Sequence, residues 1–139
     1  MEVKIFEKLP EEARMIRTKV FMDEQGFKNE FDEIDRISIH IVIFEASSPV
    51  AACRIYHSKE RQCYVVGRLA VLKDNRGKEL GSKLLSAAEK EIISRNGEIA
   101  ELSAQVRASI FYEKNGYYSL GEYYNDEGCP HVWMRKDLK

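Results

Sequence analysis

Between Ile37 and Leu72 three β-rich runs follow one another with only short polar breaks: "ISIHIVIFEA", "VAACRIYH" and "CYVVGRLAVL". β-Branched residues recur in them, as strands packed on a core require. The breaks, "SSP" and "SKERQ", are too short for a crossover, so adjacent runs must reverse and pair antiparallel. The third run ends differently. After Leu72 a polar turn carries Lys73, Arg76, Gly77 and Lys78. Then Leu80, Leu84, Leu85 and Ala88 recur at helical spacing, and the helix runs to about Arg95. Asn96-Gly97 is a stop signal, and "EIAELSAQ" follows as a strand. A strand, a long helix and a further strand predict a parallel, right-handed crossover.

The flanks extend this order. "VKIFEKL" alternates as a first strand. Pro10, Glu11 and Glu12 open a helix, since proline and acids suit a first turn. Met15, Ile16, Val20, Phe21 and Met22 give it a broad apolar face, and Gly26 ends it. "FKNEFDEIDR" reads as an acidic loop or short helical turn. "RASIFYEKNGYY" is a short helix closed by Asn115-Gly116, and the remainder forms two strands around a turn at Asp126 to Pro130. The expected class is α+β. A mixed, mostly antiparallel sheet of about six to seven strands carries about four helices.

With 139 residues and 44% hydrophobic content, the chain suits one domain, residues 1–139, around one core. Formal net charge is -1, so no global bias toward nucleic acid exists, and any anion site must be local. No secretory leader or membrane-length apolar run is read, so a cytoplasmic protein without membrane contact is expected. Cys53, Cys63 and Cys129 match no zinc or redox spacing and read as reduced thiols. Cys53, His57 and Cys63 lack an evident fourth ligand, so no metal site is expected. Cys129 and His131 lack the oriented third group that a nucleophile pair needs.

The turn before the long helix is the first candidate site. A helix start exposes about four unpaired N–H groups and about half a positive charge. Gly77 permits a tight turn, Gly81 permits close packing of helix on sheet, and Arg76 and Lys78 add mobile cations. Such a start binds anions, with pyrophosphate a natural occupant. A glycine-punctuated, solvated turn is the plainer reading of this stretch alone.

Three blocks together carry a resemblance: "VFMDEQGF", "GRLAVLKDNRGKELGSKLL" and "LSAQVRASIFYEKNGY". Together with "PH..M" near the end, they resemble the GNAT superfamily of acetyl-CoA-dependent N-acyltransferases, in particular its small stand-alone bacterial members. The likeness runs through essentially the whole chain. It implies a GNAT-like fold, with acetyl-CoA as cosubstrate and a small-molecule or peptide amine as acceptor. It implies cofactor contacts from the strand Leu69, Ala70 and Val71, and from the turn and helix start Arg76, Gly77, Lys78, Glu79, Leu80, Gly81 and Ser82. Ala108, Phe111 and Tyr112 complete that set. Two departures stand out: Glu79 occupies the usual middle glycine, and Ser103 stands where close relatives often carry Asn.

The same resemblance implies that Tyr112 protonates the departing thiolate, although a packed aromatic is the plainer role. The base is left open among Glu24, His40, His131 and a water chain to bulk. A solvated carboxylate or a structural histidine is the plainer reading of each residue. The acidic segment hints at a cationic acceptor, or simply at a solvated loop. The implied activity is acetyl transfer to a primary amine by direct attack. The alternative is a non-catalytic CoA-binding sensor or structural module. Oligomeric state stays open, a homodimer included.

Overall fold

The computed structural model describes residues 1–139. Strand β1 (Glu2–Phe6) leads to helix α1 (Glu11–Arg17), which continues without a break as a π-helical segment, Thr18–Glu24. Gly26 ends that run at φ +79°. A 3₁₀ turn at Glu33–Arg36 precedes β2 (Ile39–Glu45), β3 (Ser48–Ser58) and β4 (Cys63–Val71). Then come α2 (Leu80–Ser94), β5 (Ile99–Gln105), α3 (Ser109–Lys114), β6 (Tyr118–Asp126) and β7 (Cys129–Asp137). The expected order therefore holds, with three α-helices rather than four and the extra helical content in the π segment and 3₁₀ turns.

All seven strands join one sheet in the order β1-β2-β3-β4-β5-β7-β6. Every pairing is antiparallel except β4 with β5. The sheet has a core on each face because its central strands alternate. Ile41 and Ile43 of β2 join Leu84, Leu85 and Ile92 of α2. Val42 and Phe44, one residue out of phase, join Ile16 and Val20 beneath α1 and its extension. A strand buried on both faces reads as a continuous apolar run, which is why "IHIVIF" contains few polar residues.

Parallel β4 and β5 pair over only three residues, Tyr64 to Val66 with Ala100 to Leu102. Both strands continue, β4 to Val71 and β5 to Gln105, without pairing again. The divergence has a local cause. Opposite Cys53 the β3–β4 register shifts, and Arg68 adopts a left-handed φ of 54°. Such a bulge bends its strand and increases local twist. The visible trace in the sequence is the Gly67-Arg68 interruption of an otherwise apolar run.

Arg68 is held in that bulge by charge. Its guanidinium lies 3.1 Å from Glu30 Oε2 and donates to Asp32 Oδ2 at 3.2 Å. Arg17 donates to Glu30 at 2.9 Å and to Asp35 at 2.7 Å. Arg54 donates to Asp32 at 2.7 Å and to Asp35 at 3.0 Å. The acidic loop after α1 is therefore an ionic clamp joining α1, β3 and the β4 bulge: Glu30 and Asp35 are buried, and Asp32, though exposed, is paired with Arg54 and Arg68. Burial alone would raise the pKa of Asp35, but hydrogen bonds and charge from Arg17, aided by Arg54, hold its carboxyl far below the usual range. Glu30 goes the other way: burial raises it, and the arginines offset this only in part.

Candidate active site at the strand splay

A cleft of about 220 Å³ occupies the gap where β4 and β5 part. On the α2 face it is lined by Ala108, Phe111 and Tyr112. On the α1 face its walls include Phe21, Gln25 and Phe27. Val66 and Leu69 of β4 and Leu102 and Ser103 of β5 form its sides. The cleft thus passes through the sheet, which a fully paired sheet would forbid. Beyond Val66, β4 has no neighbour on this side, so its edge offers backbone groups to an extended ligand in the manner of an added strand.

Of the expected strand contacts, Leu69 lines the cleft. The side chain of Ala70 packs in the core beneath α1 and that of Val71 against the α2 core, which leaves only their backbone for a ligand on the β4 edge. At the other end of the turn, Gly77 adopts φ +85° with open space where a side chain would sit. Glu79 is the residue immediately before α2 and is itself left-handed, φ 61° and ψ 23°. This conformation favours glycine, which accounts physically for the glycine expected at that position. Leu80 is buried, anchoring the helix start. Ser82 lies in the first turn, half-exposed. Lys78 is exposed.

Gly81 has a different role from the one expected. It packs not on the sheet but under the Phe111 ring, since an added Cβ would meet Phe111 Cζ at 2.9 Å. That contact seats α3 against the start of α2 and carries Tyr112 to the cleft. Arg76 is also not a mobile cation. Its Nε donates to the Val71 carbonyl at 3.0 Å, and its two Nη atoms donate to Glu24 at 2.8 and 3.0 Å. The hydrogen bond from Arg76 holds Glu24 below its ordinary pKa, against an opposing effect of burial.

The three candidate bases separate in space. Glu24 is engaged by Arg76 and is not in the cleft lining. His40 is sealed on the α1 face, its Nε2 donating to the Asp35 carbonyl at 3.0 Å. It too lies outside the lining. His131 lines the cleft. Its Nδ1 donates to the Cys129 carbonyl at 2.8 Å, which leaves Nε2 as the acceptor nitrogen of the neutral ring. Tyr124 stacks on this ring at 5.4 Å and Phe27 meets it edge-on at 6.5 Å, so its orientation is fixed.

Tyr112 rests against Phe111 at 5.0 Å and Tyr117 at 6.2 Å. Burial, with a smaller contribution from Cys53, pushes its phenol well above the ordinary value, so it stays protonated. Cys53 is buried and pushed up to about 12, which keeps its thiol neutral and a poor nucleophile. Four further lining residues carry no role in the sequence reading: Gln25 and Gln105 sit inside the first and third blocks without one, and Asn29 and Asp126 lie outside all three. Gln105 reaches across the gap to donate to Gln25 at 2.8 Å, tying the end of β5 to the end of the π segment. Only the fold brings those two ends together.

The profile of the acetyltransferase (GNAT) domain family matches residues 8–138. The chain is 35% identical over 134 residues to the uncharacterized N-acetyltransferase YjcF of Bacillus subtilis, covering 91% of each chain. Its fold is similar to the crystal structure of Escherichia coli ElaA, with a TM-score of 0.86, 25% identity and coverage of 98% of this chain and 99% of that one. It also resembles an aminoglycoside 6'-N-acetyltransferase solved with coenzyme A, with a TM-score of 0.79 over 100% of this chain and 98% of that one. At 18% identity that last likeness concerns the fold alone. By the extent of the profile match and the shared length with YjcF, this chain belongs to the GNAT acetyltransferase family.

Proposed function

We propose that the protein is an N-acetyltransferase that moves an acetyl group from acetyl-CoA to a primary amine. The observation that carries this reading is that Tyr112 and His131 line one cleft from its two ends, across the β4–β5 splay. Each substrate then has its own face of the sheet. The thioester enters from the α2 side, with its phosphates toward Arg76 to Ser82 and its arm along the free edge of β4. The amine enters from the α1 side.

The chemistry needs a neutral amine, a stabilised oxyanion and a protonated leaving thiolate. His131 Nε2 accepts the proton that the amine loses. The amine nitrogen attacks the thioester carbon, forming the C–N bond. A β4 backbone N–H faces the carbonyl oxygen, a donor of a kind typically worth about 2.7–4 kcal/mol in the transition state. The C–S bond breaks, and the sulfur takes the phenolic proton of Tyr112. An ordinary phenol near 10 and a thiol near 8.5 already make that transfer uphill, and burial of Tyr112 raises its phenol further, so the proton moves only as the C–S bond breaks.

The test is release of free thiol from acetyl-CoA in the presence of a panel of primary amines, with thermal stability followed alongside. Turnover of at least one amine is expected. A stability gain of about 2.7 kcal/mol is expected when acetyl-CoA exceeds its Kd by about 100-fold. A stability gain without turnover of any amine favours a non-catalytic CoA-binding module. Neither response at millimolar acetyl-CoA removes both readings.

A further inference from the structure

We propose that Asp126 is a cation subsite for the far end of the acceptor, which makes the acceptor a short diamine or polyamine. The inference rests on the acetyl-transfer reading above. The acids of "NEFDEIDR" do not supply this charge. Glu30, Asp32 and Asp35 are held by Arg17, Arg54 and Arg68, and Glu33 pairs with exposed Arg36 at 3.3 Å. Glu24 is held by Arg76. Asp126 differs from all of them. It lines the cleft and has no ion pair or side-chain hydrogen bond within the protein. The other charged groups lining the cleft, Glu30 and Arg68, are paired with each other. Asp126 is therefore the uncompensated charge of the lining.

Its position is also rigid. The next residue, Glu127, accepts the backbone N–H groups of Lys28 at 2.9 Å and Asn29 at 3.1 Å. These bonds, made across nearly 100 positions of chain, pin the β6–β7 turn to the opposite wall of the cleft. The backbone that carries Asp126 is thereby fixed, so only its exposed side chain orders on binding.

Register sets the spacing. Tyr124 is the cross-strand partner of His131, and Asp126 stands two residues farther along β6. Two residues of strand rise are about 7 Å, which an alkyl spacer of about four methylenes spans. One nitrogen then loses its proton to His131 and attacks, while the other stays charged against Asp126. A monoamine of equal length fills the same space without the second contact.

The experiment compares diaminobutane, butylamine and a lysine-containing peptide as acceptors, with the wild-type protein and Asp126→Asn. Wild type should favour diaminobutane over butylamine by about 2–5-fold in kcat/KM, the worth of an exposed ion pair. In Asp126→Asn that ratio should fall to about one, through the KM of the diamine. A wild-type ratio near one, a ratio unchanged by Asp126→Asn, or preference for the lysine peptide overturns the assignment. Turnover of other amines but neither of these overturns the assignment alone. Turnover of no amine at all removes the acetyl-transfer reading together with it.

Discussion

Glu24 grips Arg76 end-on, its two carboxylate oxygens 2.8 and 3.0 Å from the two terminal guanidinium nitrogens. The pair joins the end of the π segment to the turn before α2 and ties a cation of the proposed anion site to an internal anion. Neutralising Glu24 therefore removes a negative charge from the proposed phosphate site. Glu24→Gln should tighten CoA about 2–5-fold, the scale of a partly exposed ion pair, measured by titration calorimetry. Weaker binding would show that Glu24 presents Arg76 to the ligand rather than competing for it.

Glu79→Gly removes a side chain from a left-handed position at the start of α2. The strain relieved is about 1–2 kcal/mol, against about 0.5–1 kcal/mol of added chain entropy in the unfolded state. A net gain of about 0.5 kcal/mol is expected, near 2 °C in Tm by calorimetry. CoA binding should hold or tighten. A marked loss of affinity would make the Glu79 carboxylate a ligand contact.

Tyr112→Phe keeps the ring that packs on Phe111 and Tyr117 while deleting the phenol. Fold and CoA affinity should survive. The chemical step should fall by about 10²–10⁴-fold, the usual worth of a general acid. Single-turnover kinetics is the proper measurement, because slow product release can mask such a loss. Wild-type chemistry in the Phe variant would leave Tyr112 a packing residue.

Arg17→Met leaves Glu30 and Asp35 without their central cation inside a buried clamp. Removing one partner of a buried pair typically costs about 3–5 kcal/mol. Chemical denaturation should show a loss of this size, because the clamp also holds Arg54 and Arg68. A loss below about 1 kcal/mol would mean that the remaining arginines carry the cluster.

Burial lowers His40 from its ordinary pKa of 6.5. The fold therefore favours the neutral ring. The stability this gives is complete above pH 6.5 and is lost as pH falls from there through the lowered folded-state value. Asp32 and Asp35, also lowered, lose their contribution at still lower pH, beneath the ordinary 3.8. Glu30, raised by burial, acts earlier and with the opposite sign: its charged form costs stability at neutral pH, and that cost is relieved as pH falls through its raised value to the ordinary 4.5, before the Asp32 and Asp35 loss begins. Tm should begin to fall just below pH 6.5, and His40→Gln should delay the fall to the carboxylate range. An unchanged onset in the variant would show that His40 does not set it.

The sequence by itself determined the elements and the order in which they occur. Periodicity is a local property, so the three β-rich runs, the helix from Leu80 and the stop near Asn96 could be read without knowing what they touch. The tight turn before α2 is legible from Gly77, whereas Tyr112 is singled out only by the resemblance to a family motif. Only the tertiary structure decided what those charges and histidines face. Glu24 and Arg76 lie 52 positions apart, and Arg17, Arg54 and Arg68 meet the acids of one loop from three different elements. His40 and His131 are both histidines in strands, yet one is sealed beside Arg54 and the other lines the cleft. The splay that creates the cleft depends on where β4 and β5 stop pairing, and Asp126 reaches it only because Glu127 ties a distant turn to the loop at Lys28. Such relations depend on long-range pairing and charge, which no short window of sequence contains.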